Sequence, residues 1–133
     1  MASFKFDLVS PEKLLISKEV ESVVIPGAEG EMTVMARHAP VMTTIKPGVV
    51  TVKLADGEEK RFVVFGGFAD ILPAGCTLLA ESAVEVRDIN RDDLSRRIQD
   101  AREDVTDARD EATRTRAQEY LDHLTTLEQA LAA

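Results

Sequence analysis

The side chains that most often perform catalysis are few in this chain and lie far apart. Its two histidines are His38, in a predicted loop, and His123, in a predicted helix, so no set of nucleophile, base and acid can be assembled around either. Cys76 is the single cysteine and has no Cys or His at metal-ligand spacing, which favours a small buried hydrophobe over a reactive thiol. Pairs of the His-x-x-x-His or Cys-x-x-Cys kind are absent. The sequence therefore predicts no catalytic site, no metal site and no cofactor.

The segment Gly27-Ala28-Glu29-Gly30 has glycines at a spacing that invites comparison with a phosphate-binding loop. Its charge is wrong for that role, because Glu29 and the following Glu31 repel phosphate and no lysine follows. The formal net charge of -8 also argues against a nucleic-acid partner, since binding to a phosphate backbone needs clustered Lys and Arg. We expect an ordinary loop here and no nucleic acid.

The predicted secondary structure, which must position any functional residue, changes from strands to helices near Asp88. All seven glycines and all five prolines precede that residue, whereas Ala, Asp, Glu, Arg and Leu dominate after it. We therefore predict a β domain at residues 1–87 and a helical tail at residues 88–133. The chain has no basic stretch leading into an apolar run at its start and no segment of membrane-spanning length, so we expect a cytoplasmic protein without direct membrane insertion.

Short strands with frequent turns are predicted for the first part. Phe4, Phe6 and Leu8 alternate with polar residues, as in a strand with one buried face. Asp56-Gly57 predicts a two-residue hairpin turn, because both residue types tolerate left-handed backbone angles. The absence of helical patterns between these strands indicates an antiparallel sandwich or flattened barrel.

A helical period begins after Asn90, which is suited to cap a helix N-terminus. Apolar residues then recur at helical spacing, lapse between Thr106 and Arg116, and resume in a shifted phase, which predicts two helices joined by a turn near Thr106 or Asp107. One continuous charged helix is the alternative, because the junction lacks Gly and Pro. The residues predicted to pack the tail are Leu94, Ile98, Leu121, Leu124, Leu127 and Leu131.

Several segments, taken in order, carry a resemblance to a known family. They are residues 24–31 (VIPGAEGE), 38–40 (HAP) and 45–50 (IKPGVV), together with residues 9–12 (VSPE), 66–68 (GGF) and 78–83 (LLAESA). In this order and spacing the chain resembles the epsilon subunit of bacterial F-type ATP synthases over essentially its whole length. The resemblance implies a ten-stranded antiparallel β sandwich followed by an α-helical hairpin.

The same resemblance implies a non-catalytic rotor subunit in the central stalk, on the cytoplasmic face of the bacterial inner membrane. In that family the β domain binds the gamma subunit and rests on the polar loops of the c-ring. By linking gamma to the c-ring, the subunit helps to couple proton flow to ATP synthesis. Glu29 and Glu31 match the loop that faces the c-ring, whose loops carry Arg. Arg37 and His38 are further interface candidates, although Arg37 stands where the family usually has glycine, so we expect the path of residues 33–40 to differ.

In some family members the tail binds ATP or reaches the catalytic-head subunits and inhibits hydrolysis. Here Thr106 and Asp110 replace the Asp and Ala of the family's ATP-binding pattern, and Tyr120 stands where an arginine is expected. We therefore expect a tail with weak or no inhibitory and ATP-sensing role. The alternative function is a free-standing β-sandwich adaptor with a helical protein-binding tail, and an enzyme comes third.

Overall fold

The computed structural model describes residues 2–132, which form nine strands followed by two helices. The chain divides into two compact units, Met1–Arg87 and Asp88–Ala133. The elements in chain order are β1 (Phe4–Val9), β2 (Leu14–Gly27), β3 (Gly30–Met35), β4 (Val41–Ile45), β5 (Gly48–Leu54), β6 (Glu59–Val64), β7 (Gly67–Leu72), β8 (Gly75–Ala80), β9 (Ala83–Glu85), a short 3-10 turn (Val86–Asp88), α1 (Arg91–Asp107) and α2 (Glu111–Ala132).

The strands of the first unit form two layers that share β2. One layer has the order β4-β7-β8-β1-β2, and the other has the order β3-β2-β5-β6-β9. The first half of β2 pairs with β1 and the second half pairs with β3 and β5. The predicted β sandwich is confirmed, and the number ten is reached when the two halves of β2 are counted separately. Because β2 is one continuous strand, the described residues form nine strands.

Aliphatic and aromatic side chains fill the space between the layers. Phe4, Phe6 and Leu8 all point inward from β1, as their alternation predicts. Each large apolar side chain buried in this way contributes about 1.5–3 kcal/mol. No polar or charged residue is buried among those whose burial the structure describes. The core therefore rests on apolar packing rather than on buried ion pairs.

Cys76 lies in this core on β8 and is 2% exposed. Burial, with the nearby carboxylates of Asp70 and Asp7, raises the pKa of the thiol from its ordinary 9.0 to about 12. The thiol is therefore protonated at neutral pH and lacks the thiolate that reacts with oxidants or metals. This agrees with its predicted role as a small hydrophobe.

The predicted hairpin at Asp56-Gly57 is present, but its loop has four residues, 55–58, rather than two. Leu54 N donates to Glu58 O at 2.7 Å, and Gly57 N donates to Leu54 O at 2.9 Å. Only Gly57 has a positive φ, at +94°, whereas Asp56 accepts a hydrogen bond from Glu58 N at 2.9 Å. Because the aspartate bonds its own turn instead of adopting left-handed angles, the loop is longer than predicted.

The pair Gly66-Gly67 opens β7 at a point where backbone segments approach closely. Gly67 has a φ of +130°, and a Cβ atom at this position would overlap the carbonyl oxygen of Leu79 on β8. A side chain is therefore excluded by both angle and space. This accounts for the glycine at the first position of β7.

The helical unit is an antiparallel hairpin of α1 and α2, which pack against each other. Asn90 caps α1 as predicted, since its Oδ1 accepts from Asp92 N at 2.9 Å and Asp93 N at 3.1 Å. Arg91 Nη2 donates to Leu131 O at 2.8 Å, which joins the start of α1 to the end of α2. Of the six residues predicted to pack the tail, Leu121 is half-buried. The other five are buried: Leu94, Ile98, Leu124, Leu127 and Leu131.

The helical structure is interrupted between Asp107 and Glu111, so the alternative of one continuous helix is wrong. Asp110 produces the second start: its Oδ1 accepts from Thr113 N at 2.8 Å and its Oδ2 accepts from the Thr113 hydroxyl at 3.1 Å. These hydrogen bonds hold the pKa of Asp110 below its ordinary value of 3.8. An aspartate cap can thus start a helix without Gly or Pro at the junction.

The first prediction concerns Gly67. Gly67→Ala should lower the free energy of unfolding by at least about 3 kcal/mol, because overlap with backbone adds to a strained φ. Gly57→Ala is the control: its Cβ meets nothing within 4 Å, so only the left-handed strain of about 1–2 kcal/mol remains. Denaturant unfolding of the full chain measures both. Equal losses would show that the contact with Leu79 does not limit this position.

The second prediction concerns the cap at Asp110. The pKa of Asp110 is lower in the folded chain than its ordinary value of 3.8. The ionised carboxylate therefore stabilises the folded state fully when the pH is above 3.8. This stabilisation is lost as the pH falls through the lower pKa of the folded state. Thermal melts of helical circular dichroism, from about pH 5 to about pH 2, should show this loss. In Asp110→Asn it should be absent, because the amide keeps an acceptor but does not titrate.

Asp107→Asn is the matched control, since Asp107 is exposed and is the last residue of α1. It should retain the acid-dependent loss of the parent chain. Identical pH dependence in the parent chain and Asp110→Asn would mean that the cap is not the titrating group.

Candidate functional site

Glu29 and Glu31 lie at the turn between β2 and β3, and both are exposed. They line an open groove of about 590 Å³ that runs from this turn to β4. Thr43 and Thr44 of β4 add hydroxyl groups, and Met42 adds an apolar wall. Neither glutamate has an ion pair within the described part of the chain. The groove is thus an acidic hollow that can receive a cationic side chain.

Arg37 and His38 lie at the other end of β3, in the loop that leads to β4. The strand is extended, so the four residue-to-residue steps from Glu31 to Met35 cover roughly 13 Å. The structure therefore brings Glu29 and Glu31 together but keeps them apart from Arg37 and His38. The four predicted interface candidates form two separate groups.

Arg37 is the single non-glycine residue with positive φ in the described chain, at +64°. Its N–H donates to Pro73 O at 3.1 Å, and His38 N donates to Met35 O at 3.2 Å, which closes the turn. The arginine thus adopts a conformation that glycine would take more easily, at a cost of about 1–2 kcal/mol. His38 Nδ1 lies 2.8 Å from Ala39 O, where its N–H donates, so the ring holds its own loop.

A second surface, which the sequence analysis did not identify, lies on the outer side of the layer β4-β7-β8-β1. We name it the apolar face and define it by Met42, Phe68, Leu72, Leu79 and Val9. The first four are 69%, 42%, 50% and 40% exposed, in that order, and Val9 is half-buried.

Strand register brings these side chains together. Phe68 of β7 lies opposite Leu79 of β8, and Leu79 lies beside Val9 of β1, so the three form a row across the layer. Met42 of β4 lies in the next row, opposite Asp70, and Leu72 of β7 lies one row further, opposite Gly75. Contiguous exposed apolar side chains of this kind mark a surface that another protein covers.

A signal for this face was present in the sequence. Two strands place large apolar residues at consecutive positions, Ile71-Leu72 in β7 and Leu78-Leu79 in β8. Because successive side chains point to opposite faces, one member of each pair must point outward. The outward residues are Leu72 and Leu79.

The bend of the hairpin forms a second hollow, of about 690 Å³. Its lining includes three carboxylates, Asp104, Asp107 and Asp110, and two arginines, Arg109 and Arg116. Asp110 already caps α2. Carboxylates outnumber the cations, so the hollow is poorly suited to a triphosphate, which needs several charge-assisted donors.

The described residues contain no group of three or more His, Cys, Asp or Glu side chains that could hold a metal ion. Neither of the two helices is both long and apolar enough to cross a bilayer, as judged over residues 2–132. What the geometry offers is protein contact, through the acidic groove and the apolar face.

A family of known proteins matches most of the chain. Residues 3–86 match the family described as "ATP synthase, Delta/Epsilon chain, beta-sandwich domain". The ATP synthase epsilon chain of Mesorhizobium japonicum is 72% identical over 129 residues, which are 97% of this chain and 96% of the relative. The epsilon chain of Chelativorans sp. is 66% identical over the same length.

Solved structures show the same fold. A chain of the Euglena gracilis mitochondrial ATP synthase, solved as an OSCP/F1/c-ring assembly, matches with a TM-score of 0.77 and 26% identity, over 98% of this chain and 82% of that one. A chain from the central stalk and c-ring of the Tetrahymena thermophila enzyme matches with a TM-score of 0.71 and 10% identity, which bears on the fold alone. The resemblance stated from the sequence is confirmed.

Proposed function

This chain belongs to the epsilon chains of ATP synthase, and from that membership we propose how its two surfaces serve a non-catalytic rotor subunit of the central stalk. The apolar face binds the gamma subunit, and the acidic groove meets the polar loops of the c-ring. The observation that carries the proposal is the presence of two chemically different surfaces on one rigid sandwich. The match of family members along nearly the whole chain disfavours the free-standing adaptor.

Gamma is assigned to the apolar face because a lasting contact in a rotor needs buried apolar area. Rotation loads the joint at every step, and apolar burial of about 25 cal/mol per Å² is not screened by salt. Phe68 and Leu79 lie centrally in this face, where hot spots of binding energy concentrate. The sandwich behind them has a close-packed apolar core of aliphatic and aromatic side chains, which gives the face a stiff support.

The c-ring is assigned to the acidic groove because its loops carry Arg in the family that this chain resembles. Opposite charges at an exposed contact fix orientation and register more than they add affinity. Glu29 and Glu31 are exposed and without ion pairs in the described residues, so their charge is available to a partner. Arg37 and His38 lie away from this groove, and we assign them to the structure of their loop.

The tail is proposed to inhibit ATP hydrolysis weakly or not at all, and to bind ATP poorly. Its bend carries an excess of carboxylates, and residues 117–133 contain no Lys or Arg, which disfavours contact with acidic segments of the catalytic head. The apolar stripes of both helices are buried, so the hairpin has little free apolar surface to offer. We accordingly divide the roles between residues 1–87, which carry both docking surfaces, and residues 88–133.

The expected location is the cytoplasmic face of a bacterial inner membrane, as a peripheral part of the synthase. Support comes from the bacterial origin of the similar epsilon chains. Contact with the membrane sector is then made through the c-ring loops and not through lipid.

The third prediction tests the apolar face. Phe68→Gln combined with Leu79→Gln should weaken gamma binding about 10- to 30-fold, because each change removes about 1 kcal/mol of partner burial. Both side chains are exposed in the free chain, so its own stability should change little. Titration calorimetry with purified gamma measures the effect. Met35→Gln is the control, since Met35 is 60% exposed but belongs to the other layer.

A chain ending at Arg87 provides a second arm of the same titration, because it retains the whole apolar face. It should bind gamma with nearly the affinity of the full chain. Unaltered binding by the double variant, or no binding by the shortened chain, would overturn the assignment of gamma to this face.

The fourth prediction tests the acidic groove. Glu29→Lys with Glu31→Lys should reduce proton-driven ATP synthesis in inverted membrane vesicles, because cations would then face the cationic loops of the c-ring. Glu58→Lys with Glu59→Lys at the β5-β6 hairpin is the control with the same change of charge. Synthesis that survives the first reversal, or falls equally in both, would contradict the assignment.

A further inference from the structure

Two carboxylates interrupt the apolar face. Asp70 of β7 lies opposite Thr77 of β8, and Thr77 lies beside Asp7 of β1. Neighbouring strands are about 4.8 Å apart, so the two aspartates flank Thr77 at a Cα separation of about 10 Å. All three residues point to the outer side of the layer and are half-buried. They form a row parallel to that of Phe68, Leu79 and Val9.

Neither carboxylate has an ion pair in the described part of the chain. Lys5 is the nearest cation on β1, two residues before Asp7 on the same face, and its register partner is Glu19 of β2. Asp7 has Ser17 of β2 as its register partner, whereas apolar residues border Asp70: Met42 lies opposite it, and Leu72 follows two residues later on the same face. In the free chain, both half-buried carboxylates are partly open to solvent.

A partner that covers the apolar face shields both carboxylates from solvent. Burying a carboxylate without a cation or hydrogen bonds opposes binding strongly, and two carboxylates near each other add repulsion. A partner suited to this surface must therefore present a cation at Thr77. One side chain suffices, because a position above Thr77 lies within about 5 Å of the strands on both sides.

We propose that Asp7 and Asp70 form an acidic clamp within the gamma-docking face, and that the clamp takes a single Lys or Arg side chain of the gamma subunit above Thr77. The proposal rests on the function proposed above, since it assumes that gamma covers this face. The apolar row supplies affinity, and the clamp selects the partner and fixes the strand register at which it docks.

The test uses the full chain with Asp7→Asn, Asp70→Asn and the double variant, titrated with gamma at several salt concentrations. Asparagine has nearly the shape of aspartate, so the fold should be retained, and a thermal melt of each variant checks this. Asp56→Asn is the control, because Asp56 lies in the β5-β6 loop and the amide can still accept from Glu58 N.

Each single variant should bind gamma on the order of tenfold more weakly, because the cation of gamma loses one of its partners. The double variant should be only slightly weaker than either single variant, since both aspartates act on one shared cation. The dependence of affinity on salt should also become shallower than in the parent chain. Asp56→Asn should change none of these.

The clamp would be overturned if the double variant bound gamma as tightly as the parent chain or more tightly. It would also be overturned if the losses of binding free energy in the two single variants added fully in the double variant, because full additivity indicates two separate cations. The two proposals fail separately. If Phe68→Gln with Leu79→Gln weakens binding and the asparagine variants do not, gamma docks here without the clamp. If neither set has an effect, the docking face itself is wrong.

Discussion

The pairing of β2 with both layers is the constraint on which the β unit depends. Residues 14–20 of this strand pair with β1, and residues 22–27 pair with β3. A bulge at Glu21, where the register with β5 shifts between Val20 and Ser22, turns the strand from one layer into the other. Because one chain segment spans both layers, they cannot slide past each other without breaking hydrogen bonds in both. The apolar core is thereby held at a fixed register.

This closure also determines where the two surfaces meet. The end of β2 bridges to β4 at Gly27 and Ile45, so the acidic turn lies directly beside the strand that begins the apolar face. Met42 consequently belongs to both surfaces: it lines the groove and lies opposite Asp70, one row from Phe68. Under the proposed assignment of gamma and the c-ring to these surfaces, both contacts would fall on one stiff body. Here the joint between them is a single strand, which can transmit force over a short path.

The helical unit is held by weaker means. Its helices begin at polar caps, Asn90 and Asp110, and a hydrogen bond from Arg91 to Leu131 O joins their free ends. The buried stripe of each helix is narrow, and its charged faces are exposed. Isolated helices with so little apolar area are marginal, so the stability of the hairpin must come from packing of these stripes. This contrast in construction is consistent with a stiff docking body and a separate tail.

Local signals were sufficient for the element types, the change near Asp88 and the cap at Asn90, because these depend on residues within a few positions of one another. The four-residue loop at Asp56 departed from its prediction, since a side-chain hydrogen bond competed with the left-handed turn. The surfaces depended on register. Asp7 and Asp70 are 63 residues apart and meet across Thr77 only when β1 and β7 both pair with β8. Likewise, Glu31 and Arg37 are close in sequence yet distant in space, because β3 is extended. Side-chain type and spacing decide local structure, whereas long-range strand pairing decides which side chains share a surface.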